Sequence, residues 1–227
     1  LWWSVGDHEV YHYETQIGEI FGREFVDPSL GSESFVHSAT PGAERRLADN
    51  ITALLAAGGP LNIMAQLCRD AKLSFCPRVR MNSHYVIAPE HPGYGRMRRE
   101  HPEWLIGRSE ECLPEGSIEW AIRTGLDYSV REVREFMYGI ICEVFEHFDV
   151  DGVELDFMRH PGYFRMAEAY GNSYLMTDLI RRVRARLRVV SAARGRDLFL
   201  AVRVPPTLTD ARRVGLDVAG WMAEDLV

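Results

Sequence analysis

The segment 150–161 constrains the fold most, because its alternating pattern predicts a short buried strand. Successive side chains of a strand point to opposite faces, so this segment has one apolar face and one face with carboxylates. The apolar face holds Val153, Leu155 and Phe157, and the other face holds Gly152, Glu154 and Asp156. Such a strand needs an apolar layer on one side and a polar space on the other. We therefore expect it to carry the active site, with the next residues leaving it as a loop.

Composition limits the class of protein. With 227 residues, of which 46% are hydrophobic, the chain is long enough to bury a substantial core, and we predict one domain over residues 1–227. The net charge of −7 argues against a nucleic-acid partner, since such proteins carry a basic surface. No apolar run has the length of a membrane span, so we expect no membrane partner. The four cysteines lack metal-finger spacing, which favours buried free thiols.

Predicted strands alternate with predicted helices along the chain. Strands are predicted at 1–6, 73–81, 150–157 and 198–204, with another beginning at 225–227. Helices are predicted at 44–57, from Pro60, after Ser129, at 173–193 and at 217–223, with Gly58 and Gly59 separating the first two. The arginine-rich side of the helix 173–193 is interpreted as a solvated outer face. This alternation predicts an α/β fold with a parallel sheet and helical crossovers.

The interior of a (β/α)8 barrel, near the carboxyl ends of its strands, offers the polar space that Glu154 and Asp156 need. Because the sequence begins in a predicted strand and stops as another begins, we expect an open barrel fragment truncated at both ends. A polar, aromatic loop over residues 7–43 is long for a compact domain and is interpreted as a binding loop.

Opposite charges are expected around the carboxylates. In a barrel, the strand carrying Asp156 lies between the strand that ends near Arg80 and the strand that carries Arg203. A neighbouring guanidinium favours the charged form of a carboxylate, so Asp156 is expected to be ionised, as a nucleophile or a stabilising charge requires. Glu154 lies one pleat deeper and is expected to anchor an arginine. The alternative is an ion-pair network that only fills the barrel.

The segment 152–160 resembles the fourth-strand motif of the α-amylase clan of glycoside hydrolases. In that motif the aspartate is the nucleophile, and a basic residue and a histidine follow at the positions of Arg159 and His160. The sequence departs from the motif at Glu154, where amylases carry arginine. Arginines of the neighbouring strands are expected to supply that positive charge.

Several segments together resemble the bacterial glycosyl-hydrolase-like barrel family. They are 3–7, 80–84, 126–128, 151–164, 201–205 and 215–217. The resemblance implies a partial (β/α)8 TIM barrel that contains about strands two to six, as an open fragment. It also implies a single glycosidase-like domain with a carbohydrate substrate.

We therefore predict an O-glycosyl hydrolase that acts on an oligo- or polysaccharide without a cofactor or a metal. The candidate catalytic residues are Asp156 and Glu154, and the candidate substrate-binding residues are Trp3, Asp7, Tyr13, Arg80, Asn82, His84, Arg159, His160 and Arg203. Trp3 and Tyr13, with Trp104 and Tyr163, are candidate platforms for stacking on a pyranose ring.

Two other functions remain open. A carbohydrate-binding barrel without catalysis would explain why the sequence shows no recognisable general acid. A metal-dependent hydrolase would need a set of ligands, but His8 with His12, and His91 with His101, join no acidic residue in a known ligand pattern.

Overall fold

The computed structural model describes residues 1–7, 9–22, 43–84, 93–108 and 111–227. Its strands are β1 (Trp2–Ser4), β2 (Val10–Tyr11), β3 (Glu19–Ile20), β4 (Cys76–Arg80), β5 (Gly152–Asp156) and β6 (Phe199–Arg203). Its helices are α1 (Ala43–Ala56), α2 (Pro60–Asp70), α3 (Arg96–Glu100), α4 (Ile118–Ile122), α5 (Arg131–His147), α6 (Ser173–Arg194), α7 (Leu208–Arg213) and α8 (Val218–Ala223). A 3₁₀ turn at Pro102–Trp104 follows α3.

Four strands form one parallel sheet in the order β1-β4-β5-β6. Helices lie between consecutive strands of this sheet along the chain, as the crossovers of a parallel sheet require. The predicted α/β fold with a parallel sheet is therefore confirmed. Within the described residues the sheet is open, with β1 and β6 at its edges, and it does not close into a barrel.

The predicted loop 7–43 contains structure that the sequence did not predict. Strands β2 and β3 pair in parallel within it as a separate two-stranded sheet. Each of these strands has two residues, which is too short to produce a recognisable alternation. Residues 23–42 of the predicted loop lie outside the described residues.

The junction between α1 and α2 follows the prediction. Gly58 and Gly59 have φ angles of 112° and 86°, a left-handed region that glycine adopts without a steric penalty. Pro60 then occupies the first turn of α2, where the missing N–H would have had no helical partner.

Strand β5 lies in the middle of the core, and all five of its residues are buried. Its apolar face, with Val153 and Leu155, belongs to a hydrophobic cluster that includes the buried stripes of α5 and α6.

Cys68, Cys76 and Cys142 are buried free thiols as predicted, whereas Cys112 is exposed.

The arginines of α6 form ion pairs with neighbouring elements. Arg181 pairs with Glu224 after α8, and Arg182 pairs with Glu135 of α5. These side chains are partly exposed, so the solvated face is as predicted, although each pair contributes little to stability.

No single described helix is long and apolar enough to cross a membrane, and segments 45–56 and 60–70 meet that test only jointly, across a 66° bend.

Candidate active site at the carboxyl edge of the sheet

Three charged side chains lie side by side where β4, β5 and β6 end. Arg80 of β4 is in register with Asp156 of β5, which is in register with Arg203 of β6. Residues in register on neighbouring strands point to the same face. The two guanidinium groups therefore bracket the carboxylate, which is the order that the sequence predicted.

Asp156 is a buried carboxylate surrounded by donors. Arg203 donates Nη1 to Oδ1 and Oδ2 of Asp156 at 3.2 and 3.1 Å. The backbone N–H groups of Met158 and Arg159 donate to Oδ1 at 2.9 and 3.1 Å. The side chain is 2% exposed, and both of its oxygens accept hydrogen bonds from the protein. Asp156 thus provides a fixed negative charge and also holds the loop that follows β5.

Asp7 is a second carboxylate on the same face. It follows β1 and accepts a hydrogen bond from Nη1 of Arg80 at 3.1 Å. The side chains of Asp7 and Arg80 are each 26% exposed, so Asp7 is more accessible than Asp156. Strand β4 separates β1 from β5, which puts the two backbones ~10 Å apart at the usual strand spacing.

Glu154 anchors an arginine, as the sequence predicted, and the partner is Arg78. The two residues are in register on β5 and β4, and Nε of Arg78 donates to Oε1 of Glu154. Glu154 is 7% exposed and lies one pleat below Asp156. The sequence places Arg78 on the same face as Arg80, two residues before it, but does not say which of the two is the partner.

His84 and His160 pack together beside this row of charges. The backbone N–H of His84 donates to Nδ1 of His160 at 3.0 Å, so the neutral His160 ring carries its proton on Nε2. Burial lowers the pKa of His84 to about 3, helped by the charge of His160 and of Arg98. Burial also lowers the pKa of His160 to about 4, with Asp7 opposing the shift and Arg159 contributing to it. Both rings are therefore neutral at neutral pH.

Asn82, a predicted substrate-binding residue, is fully engaged with the protein. Its Nδ2 donates to the carbonyl oxygens of Leu126 and Gly162 at 2.9 and 2.7 Å. Its Oδ1 accepts from the backbone N–H groups of Leu126 and Ser83 at 3.0 and 3.1 Å. The residue is 1% exposed, so it fixes three loops of the site and offers no free polar group to a ligand.

Two of the predicted sugar-stacking residues have no accessible ring face. Tyr13 is 1% exposed, and its hydroxyl donates to Oε2 of Glu143 at 2.8 Å. Tyr163 is also 1% exposed, and its hydroxyl donates to the carbonyl oxygen of Phe157. Both rings are core residues here, because each has packed inside with its hydroxyl satisfied.

The other two aromatic candidates are partly buried. Trp3 is in register with Pro77 of β4 and packs against the core. Trp104 stacks on His101 with ring centroids 3.7 Å apart. The ring of Trp104 lines a small pocket with Met97 and Phe136, beside α3 and not on the row of charges.

No group of three or more His, Cys, Asp or Glu side chains in the described ranges is arranged to hold a metal ion. His8 and His91, which the sequence analysis considered as metal ligands, lie outside those ranges.

Comparison with known proteins places the chain in no family. No protein-family model and no curated protein matches it. Similar solved structures include TtGalA, an α-galactosidase from Thermus thermophilus in complex with p-nitrophenyl α-D-galactopyranoside, with 14% identity and a TM-score of 0.41 over 64% of this chain and 26% of that chain. Another is the galactosidase domain of the α-galactosidase–sucrose kinase AgaSK, with 21% identity and a TM-score of 0.38 over 64% of this chain and 18% of that chain. The chain thus spans about a quarter of the first structure and less than a fifth of the second, a likeness that assigns no roles to residues.

Proposed function

We propose that residues 1–227 form a section of a (β/α)8 barrel and act as a glycoside hydrolase on an oligo- or polysaccharide. One observation carries the proposal: Asp7 and Asp156 lie on one face of the carboxyl edge of a parallel sheet, and each is bound by an arginine. This edge is where barrel enzymes place their chemistry. Paired carboxylates on a shared face are what glycoside hydrolysis uses.

The proposed role of Asp156 is to stabilise positive charge. Its oxygens are held by Arg203 and by two backbone N–H groups, and it is 2% exposed. A fixed, buried charge of this kind favours an oxocarbenium-like transition state without having to reorganise. The more exposed Asp7 is proposed to contact the substrate. The two catalytic carboxylates of a glycosidase lie about 5–9.5 Å apart. Asp7 follows a strand that is two places from the strand of Asp156 in the sheet, and their side chains can reach that range if they lean towards each other.

A second function, carbohydrate binding without catalysis, is favoured by a different observation. In the described part of the chain, Asp7, Glu154 and Asp156 are each paired with an arginine. A general acid works best away from positive charge, and none of these three carboxylates lies away from an arginine. A sugar-binding protein requires no such acid.

One experiment separates the two functions. The full chain is incubated with a panel of oligo- and polysaccharides, and binding and the release of reducing ends are both measured. Hydrolysis that is lost in Asp156→Asn, with binding retained, supports the hydrolase, because asparagine keeps the shape and removes the charge. Binding without hydrolysis by the parent chain supports the second function, and absence of both refutes both. Asp178→Asn, an exposed position on α6, is the matched control.

A further inference from the structure

We infer that the substrate of this site carries an anionic group, a carboxylate or a sulfate, which binds the outward edges of Arg80 and Arg203. The inference rests on the proposed function and specifies the class of sugar. The two arginines stand on either side of Asp156, in register with it, so both face the position where the substrate would lie.

Arg80 and Arg203 both retain unused hydrogen-bond donors. Each binds its carboxylate through Nη1 alone. The described residues supply no acceptor for Nε and Nη2 of either one. Two arginines of α6 behave differently: Arg181 uses Nε and Nη2 on Glu224, both at 2.6 Å, and Arg182 uses both Nη atoms on its partner. Arg80 and Arg203 therefore keep a donor edge that Arg181 and Arg182 use within the protein.

Arg203 is the accessible member of its ion pair. The side chain of Arg203 is 47% exposed, whereas the Asp156 carboxylate that it covers is 2% exposed. A ligand that approaches from the open side meets the guanidinium before it meets the carboxylate. Because a guanidinium presents two parallel N–H groups in one plane, its free edge matches the paired oxygens of a carboxylate or a sulfate.

Binding calorimetry on the full chain tests the inference with two matched pairs of oligosaccharides. One pair is oligogalacturonate and its methyl ester, and the other is a sulfated oligogalactan and its desulfated form. We expect one anionic member to bind at least about tenfold more tightly than its neutral counterpart, as charge-assisted hydrogen bonds predict. The pair that shows the preference identifies the group as carboxylate or sulfate.

Variants then assign the preference to the two arginines. Arg203→Gln and Arg80→Gln should each remove most of it, and Arg203→Lys should restore only part, because lysine keeps the charge and loses the planar fork. Arg181→Gln, on the outer helix, removes the same charge and should bind as the parent does. Melting curves identify any variant that fails to fold. If Arg203→Gln does not fold, Arg80→Gln provides the same test of the anionic preference.

Several results would overturn the inference. Equal binding within both pairs, no binding to any of the four ligands, or an equal loss in Arg181→Gln and Arg203→Gln would each do so. Hydrolysis is scored separately, so the two proposals fail in different ways. A chain that prefers the anionic ligand and cleaves nothing refutes the hydrolase and keeps this inference. A chain that cleaves neutral glycans and shows no preference for the anionic ligands keeps the hydrolase and refutes this inference.

Discussion

Arg203 donates one nitrogen to both carboxylate oxygens of Asp156, although the arginine is half exposed and the aspartate is almost fully buried. The same carboxylate accepts two backbone N–H groups from the loop that follows β5. Asp156 therefore links β6, β5 and that loop at a single point. A substitution there changes local order as well as charge.

Glu154→Gln should destabilise the fold. The Glu154 side chain, taken without its backbone, is 9% exposed and pairs with the side chain of Arg78, which is 29% exposed. Breaking a fully buried pair costs about 3–5 kcal/mol, and partial exposure of the arginine should reduce the loss to about 2–3 kcal/mol. Urea unfolding measures the change. Glu224→Gln, which breaks an exposed pair with Arg181, should leave the midpoint unchanged, and equal midpoints for both variants would contradict a structural role for Glu154.

Gly152→Ala should also destabilise the protein, for a steric reason. A Cβ at this position would lie 2.3 Å from the carbonyl oxygen of Phe199 and 2.8 Å from its ring, so β5 and β6 would have to separate. Overpacking of this kind typically costs about 1–3 kcal/mol. At Gly171 the nearest atom to a Cβ is 3.6 Å away, and Gly171→Ala serves as the control. A melting temperature equal to that of the parent in Gly152→Ala would show that the two strands tolerate a side chain there.

Tyr13→Phe should reduce stability without affecting carbohydrate binding. The Tyr13 hydroxyl donates to the buried Glu143 carboxylate, which also accepts from Thr15 at 2.6 Å. A lost hydrogen bond to a charged group costs about 1.5–3 kcal/mol. Tyr170→Phe removes a hydroxyl from a residue that is 71% exposed and should have no effect on unfolding. Weaker carbohydrate binding by Tyr13→Phe, at unchanged stability, would show that the hydroxyl contacts the substrate and not only Glu143.

The elements of this fold were predictable where the signal is local. The strand 152–156 and its two faces follow from the alternation of apolar and polar residues with a period of two. Arg80, Asp156 and Arg203 lie together because the carboxyl ends of parallel strands share one edge of the sheet. The partner of Glu154 was not predictable in the same way. Arg78 lies 76 residues away in sequence, and no local spacing selects it over Arg80.

Accessibility was the least predictable property of the site. Asn82 and Tyr13 belong to residue types that bind sugars, yet loop packing directs their polar groups to Leu126, Gly162 and Glu143. Glu143 lies 130 residues from Tyr13, so this contact depends on how the segment after β1 folds over α5. Residue type alone does not determine whether a ring or an amide remains exposed.

Mild acid should destabilise the protein through His84 and His160. Their pKa values in the folded state are about 3 and about 4, below the unfolded value near 6.5. Between these values the unfolded chain binds more protons than the folded chain does. The stability contributed by the two neutral rings is therefore fully present above about pH 6.5 and is lost as the pH falls towards 4 and then 3.

The free energy of unfolding in urea, measured at pH 7, 6 and 5, tests this expectation. It should fall with pH, and His160→Gln should have a shallower slope because one of the histidines with a depressed pKa is gone. His147→Gln, at an exposed position on α5, should keep the slope of the parent. A parent chain whose stability is flat between pH 7 and 5 would show that the rings titrate alike in the folded and unfolded states.

Asp7→Asn and Asp156→Asn should alter different kinetic constants on a glycan that the full chain hydrolyses. Asp7 is 26% exposed and positions Arg80. Its loss should raise KM, because the substrate loses a contact and the Arg80 guanidinium is held less firmly. The same loss should reduce kcat only modestly. Asp156 is buried and is proposed to stabilise the charge of the transition state, so its loss should lower kcat by orders of magnitude at nearly constant KM. Both variants should bind the unreactive thio-linked analogue of the same glycan, more weakly for Asp7→Asn. If Asp7→Asn instead abolishes turnover at unchanged KM while Asp156→Asn keeps it, the accessible aspartate is the catalytic residue and the buried one only orders the loop after β5.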